Sequence, residues 1–194
     1  MINLRLYEQP WTYWMLDGFL TPECLAEVKN IKHETPQLVK EHRGHPDRLF
    51  ISNINVDSQR AKYPNLCDLA DELQHGQLKK FFEKIVKAEM PNFMRIEVIS
   101  DIGPFYLKPH NDFLKKLTIL CYTNYSALYP GTTIYSDANT IHHQIESQDN
   151  RCVFYVPNHV TWHGVPKTVF PTIRRMLMIN YFVSLDQLSP PQLN

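Results

Sequence analysis

An imidazole and a carboxylate stand two positions apart in His110-Asn111-Asp112. In an extended segment, residues i and i+2 point to the same face, so both side chains can reach one ligand. The same pair also suits a surface turn closed by a local Asp–His hydrogen bond. Random placement of nine histidines and ten aspartates would give about 0.5 such pairs, so H-x-D alone favours the turn. A second histidine has a more telling setting. Asn150-Arg151-Cys152-Val153-Phe154-Tyr155-Val156-Pro157-Asn158 reads as a strand and a turn, and it leads into Thr161-Trp162-His163-Gly164-Val165. Pro166 then opens a loop-like stretch that runs to Arg174 and a last apolar strand.

The remaining histidines read as bystanders. His142 and His143 lie on a strand-like segment and suit a solvated edge. His159 precedes His163 by four, the spacing of a helical metal pair, but Pro157 and Val160-Thr161 argue against a helix there. His33, His42, His45 and His75 sit among charged residues, and the mixed-sign run from Lys40 to Arg48 reads as a surface loop. No G-x-x-x-x-G-K-[ST], G-x-G-x-x-G or G-x-S-x-G segment occurs, so phosphate cradles and a nucleophile-elbow hydrolase fit poorly.

The elements that must carry these residues change character along the chain. Thr21-Pro22-Glu23 opens a helix, with a capping hydroxyl and proline at the first helical position. Leu49 to Ile54 reads as a strand. From Tyr63 the pattern is helical, with Leu66, Leu69 and Leu73 on one stripe; Gly76 breaks it, and Leu78, Phe82 and Ile85 continue a second helix ending before Pro91. After Pro91 the hydrophobic period changes from 3.6 to 2. Strands are expected over 95–100, 117–123, 132–135, 152–156 and 176–182. Short strands at close spacing predict a β-barrel or jelly roll with the N-terminal helices packed outside.

The chain has 194 residues, 43% of them hydrophobic and 21% charged, which suits one folded domain able to bury a sizeable core. Twenty basic and twenty acidic residues cancel, which removes the electrostatic case for nucleic acid or an anionic membrane as main partner. No apolar run is long enough for a membrane span and the N-terminus has no apolar signal core, so the expectation is a cytoplasmic protein. Cys24, Cys67, Cys121 and Cys152 are widely separated, which suits buried free thiols.

In order, His110, Asp112, His163 and Arg174 resemble the Fe(II)- and 2-oxoglutarate-dependent oxygenases of the prolyl-4-hydroxylase-like kind. Those proteins carry H-x-D, a later histidine, and an arginine or lysine beyond it. The N-R-x-V-x-F strand before W-H-G-V and the opening Trp14-Met15-Leu16-Asp17-Gly18-Phe19-Leu20-Thr21-Pro22-Glu23-Cys24 are also similar to the family, and the resemblance covers most of the chain. It implies a double-stranded β-helix (jelly roll, cupin-like) core over 92–185, beneath a helix-rich cover over 1–91, in a single oxygenase domain. It further implies that His110, Asp112 and His163 hold Fe(II) in a two-histidine, one-carboxylate triad with adjacent positions open for 2-oxoglutarate and O₂. Arg174 would bind the far carboxylate of the cosubstrate, the task a planar guanidinium suits, and Tyr122 would donate its hydroxyl to it.

Neighbours on a strand point to opposite sides, and both faces around Arg174 and Arg175 are mostly apolar. Periodicity therefore does not choose between them; the resemblance selects Arg174. Met176 departs from the family, which often has a small or hydroxyl residue there. With Asp112 present, hydroxylation is favoured over halogenation. The substrate is a small molecule or a peptide, with peptidyl proline, another side chain and a metabolite all open. Two rival classes are a non-catalytic jelly-roll binding module and a cupin-like metalloenzyme without 2-oxoglutarate; neither needs Arg174 and Tyr122 as a dicarboxylate anchor.

Overall fold

The computed structural model describes residues 3–32, 49–112, 114–124 and 126–184. Its elements follow in the order β1 (Asn3–Tyr7), β2 (Tyr13–Asp17), α1 (Pro22–Asn30), β3 (Leu49–Ser52), α2 (Val56–Gln59), α3 (Pro64–His75) and α4 (Gln77–Val86). Six strands complete it: β4 (Met94–His110), β5 (Lys115–Tyr122), β6 (Ser126–Tyr135), β7 (Ile141–Ser147), β8 (Arg151–Tyr155) and β9 (His163–Phe182). The helices form where their signals stand. Thr21 Oγ1 accepts the Cys24 N–H at the start of α1. Pro64 occupies the first turn of α3, and Gly76 separates α3 from α4.

The strands build a jelly roll of two antiparallel sheets. The larger runs β1-β2-β8-β5-β9-β4-β3; the smaller adds β7 and β6 alongside β9. β4 and β9 belong to both, pairing from Met94↔Tyr181 to His110↔His163 with register shifts after Asp101, Phe105 and Leu107. Such bulges bend a paired ribbon, and here they carry it from one sheet into the other. The loop-like stretch expected between Pro166 and Arg174 is part of β9. Prolines discourage a strand in isolation, but β4 supplies a partner ladder and the register shifts accommodate the irregularity. β1 and β2 also went unforeseen in the expected helix-rich cover. β2 pairs along β8 and is buried on both faces, so it lacks the alternation that betrays a strand.

Each face of the larger sheet has its own core. Ile96, Val98, Leu117, Ile119, Phe154, Leu177 and Ile179 pack beneath α1, α3 and α4 with Leu66, Leu73 and Phe82. Phe82 meets Phe154 edge to face at 5.0 Å, and the Tyr181 hydroxyl donates to the Leu73 carbonyl at 2.6 Å. All four cysteines are free and buried in this structure. The opposite face is concave and encloses Ile99, Leu120, Tyr122, Val153, Tyr155 and Met176 against Ile134 and Ile145 of the smaller sheet. No helix among the described residues is long and apolar enough to cross a membrane.

Candidate metal centre

His110 ends β4 and His163 begins β9, directly opposite each other in the ladder. Asp112 follows two residues on, and one donor atom from each of the three lies within 4.8 Å of the others. The second atoms of both imidazoles are already engaged. Nδ1 of His110 lies 2.9 Å from the Lys108 carbonyl, and Nδ1 of His163 lies 2.9 Å from the Thr161 carbonyl. A ring nitrogen facing a carbonyl must carry the proton, so each Nε2 is left as the lone-pair donor a cation needs. Gly164 belongs to the same construction. A Cβ there would stand 2.6 Å from the Leu107 carbonyl, so glycine lets β9 lie against β4 beside the ligands.

The protonation states suit metal ligands. Burial favours the neutral form of Asp112, but Lys115 at 2.7 Å and the two histidines outweigh it and hold the carboxyl down at about 2. Burial, with His110 adding, depresses His163 to about 4 against the pull of Asp112, 3.8 Å away. At neutral pH the pair is therefore a carboxylate and a neutral imidazole, the forms that ligate. Two nitrogens oriented by backbone carbonyls and one carboxylate oxygen held by Lys115 fit Fe(II) or a similar divalent ion after modest closure. The Tyr155 hydroxyl, 2.9 Å from His163 Nε2, donates to that lone pair here and would have to turn aside for a cation to take it.

Directly paired residues share a face, so the ladder register lays out the concave wall leading away from this centre. Thr118, Tyr155 and Asn180 form one row, Leu120, Val153 and Met178 the next, and Tyr122 and Met176 the third; Asp101 and Arg174 close the series. The wall is unusually polar for a buried surface. Thr118 donates to Asn180 Oδ1 at 2.9 Å, while Asn180 Nδ2, fully buried, has no hydrogen-bond partner among the described residues. Arg95 stands 3.3 Å from the buried Glu97.

Arg174 and Tyr122 lie on this wall, each engaged by the chain itself. The guanidinium donates to Asp101 Oδ2 at 2.6 Å, to the Gly131 carbonyl and to Met176 Sδ. Tyr122 donates to Thr132 Oγ1 at 2.7 Å, and burial pushes its phenol up to about 12. A Cβ on Gly131 would stand 2.5 Å from the Tyr122 ring, so that glycine lets β6 close over both side chains. Arg175 takes the other face, donating to Ser100 Oγ at 3.2 Å and to the Val28 and Lys29 carbonyls at the end of α1.

His75, His142, His143 and His159 are exposed, while His33, His42, His45 and the run from Lys40 to Arg48 lie outside the described residues. Sequence reasoning passed over Asp101, Lys115, Gly131, Thr132, Tyr155 and Asn180. The alternation of Arg95 and Glu97 with Ile96 and Val98 gives the strand's two faces, but it makes the polar face look solvated.

No family model matches this chain, and no curated protein matches it either. Solved structures do. A prolyl-4-hydroxylase from Pseudomonas putida is similar over 88% of this chain and 91% of its own, at a TM-score of 0.65 and 13% identity. The fold is a jelly roll like that hydroxylase's. A Trichoplax adhaerens prolyl hydroxylase, solved with a hypoxia inducible factor peptide fragment, covers 88% of this chain and 83% of its own at 0.56 and 16% identity. SnoN, a non-heme alpha-ketoglutarate-dependent epimerase from nogalamycin biosynthesis, covers 88% and 76% at 0.61 and 13% identity. At such identities the likeness is one of fold, and function must be argued from the site.

Proposed function

We propose that this chain is an Fe(II)- and 2-oxoglutarate-dependent oxygenase that hydroxylates a C–H bond of a peptidyl or small-molecule substrate. The observation that carries this reading is the meeting of His110, Asp112 and His163 within 4.8 Å at the mouth of a jelly roll. His110 and His163 would hold Fe(II) through Nε2 and Asp112 through a carboxylate oxygen. Bound iron would supply O₂ activation coupled to oxidative decarboxylation of the cosubstrate to succinate and CO₂. The chain's own part is to keep both imidazoles oriented, hold His163 neutral and Asp112 ionised beside Lys115, and wall the reaction in with Tyr155, Tyr122 and Met176. Arg174 and Tyr122 stand along the wall for the cosubstrate's far end. The peptide held by the Trichoplax neighbour supports keeping peptides among the substrates to test.

The test is anaerobic loading with Fe(II), addition of 2-oxoglutarate and a substrate panel, then oxygen, with succinate and consumed O₂ measured together. Succinate should form in step with O₂ uptake and disappear in His163→Ala. Metal binding without succinate under every condition would favour a binding module, and absence of metal binding would defeat the reading outright.

A further inference from the structure

The one lone pair that His163 keeps for a cation is already engaged. Nδ1 faces the Thr161 carbonyl at 2.9 Å and carries the proton, so Nε2 accepts, and the Tyr155 hydroxyl donates to it at 2.9 Å. A neutral imidazole has a single such lone pair, so this hydrogen bond and a metal bond at Nε2 exclude each other. Asp112 differs. Lys115 Nζ holds its Oδ2 at 2.7 Å, but a carboxylate keeps further lone pairs on both oxygens and can serve an ammonium and a cation together. The obstacle to loading therefore lies on His163.

Tyr155 is fully buried, and its ring meets Trp11 edge to face at 5.2 Å. A phenol displaced from Nε2 in such a place must find another acceptor inside the protein. Thr118 supplies one. It stands directly opposite Tyr155 in the β5–β8 ladder, on the same concave face, and its hydroxyl interacts with the phenol. It gives its own hydrogen to Asn180 Oδ1 at 2.9 Å, which leaves lone pairs on Oγ1 to accept.

We infer that Tyr155 is a latch on the metal centre: its hydroxyl holds His163 Nε2 in the metal-free protein and passes to Thr118 Oγ1 when a divalent ion binds. The inference rests on the metal-centre reading and concerns how that centre is filled. Tyr155 keeps the buried lone pair satisfied without a metal and raises the ion concentration at which the centre loads. Thr118 lowers the cost of letting go.

The test is calorimetric titration of the metal-free full-length protein with Mn(II), in wild type, Tyr155→Phe, Thr118→Val and the double variant. Tyr155→Phe keeps the ring and removes the competing donor, so Mn(II) should bind about three- to tenfold more tightly, the span of one neutral hydrogen bond. Thr118→Val takes away the second acceptor and should weaken binding about as much, whereas in the Tyr155→Phe background it should change binding less than about twofold. That non-additivity separates a latch from two side chains that merely support the fold. Tyr155→Phe binding Mn(II) no more tightly than wild type overturns the inference and leaves the metal centre standing. A Thr118→Val loss that persists in the double variant, or no loss at all, overturns it too. Wild type and Tyr155→Phe decide the matter alone should Thr118→Val fail to fold. If no form of the protein binds a divalent ion, the metal-centre reading falls and the inference with it.

Discussion

At the scale of single residues, the centre is prepared for a cation by what surrounds its donors. His163 is neutral because it is buried beside another imidazole, and this ties stability to pH. Its folded value of about 4 lies below the 6.5 of a free imidazole. The unfolded chain therefore binds a proton over the window in which the folded one does not. The stabilisation is complete above about pH 6.5 and is lost as pH falls towards 4. Over that interval His163 accounts for about 3 kcal/mol, at roughly 1.4 kcal/mol per unit. Asp112 adds a second loss lower down, between its ordinary value of 3.8 and about 2. Urea unfolding of the metal-free protein at pH 7.0 and pH 4.5 should show this fall, and His163→Asn should flatten it; an equally steep fall in that variant would mean other groups carry the acid sensitivity.

At the scale of elements, the helical layer is fastened by charged side chains that satisfy helix ends. Glu27, on α1, accepts from the Leu66 N–H at 2.7 Å, the Asn65 N–H at 3.2 Å and Asn65 Nδ2 at 2.9 Å, at the start of α3. Those backbone donors have no partner within their own helix, and a carboxylate there also meets the positive end of the helix dipole. Arg175 does the converse work at the end of α1, donating to the Val28 and Lys29 carbonyls from β9. Hydrogen bonds to charged groups contribute roughly 1.5–3 kcal/mol, so Glu27→Ala should lower unfolding free energy by about 2 kcal/mol. Denaturant titration measures that loss, and metal affinity should stay unchanged, because α1 and α3 lie behind the sheet. A change in metal affinity would show that the helices set the geometry of the centre.

Across the whole molecule, one sheet separates two jobs. Its convex face packs the helices and gives stability; its concave face carries the candidate metal donors and the polar wall. Phe82 is fully buried on the convex side against Phe154 and Phe19, and its truncation leaves a cavity that helices and sheet cannot both close. Phe82→Ala should cost about 3–5 kcal/mol. Below its lowered melting temperature, the variant should still bind Mn(II) with wild-type affinity by calorimetry. Loss of both together would mean that the concave face is not independent of the helical core.

The residues that could ligate, and the change from helical to strand period after Pro91, were readable in the chain because both depend on local spacing. Leu66, Leu69 and Leu73 repeat at helical intervals, and Leu117 to Thr123 carries the continuous apolar pattern of a buried strand. β2 and the middle of β9 were not readable, since their stability comes from partners far away in sequence: β8 for the one, β4 for the other. The same holds for the inner wall. Alternation placed Arg95 and Glu97 on one side of a strand, but it carries no information about whether that side meets water or other side chains. Tertiary packing buried it: Phe50 and Phe182 lie against Arg95, and Ile134 and Ile145 of the smaller sheet pack with Ile99 farther along the same side. Arg174 shows the difference most sharply: its type and order were visible in sequence, whereas its pairing with Asp101, 73 positions away, exists only because two bulged strands bring them opposite each other.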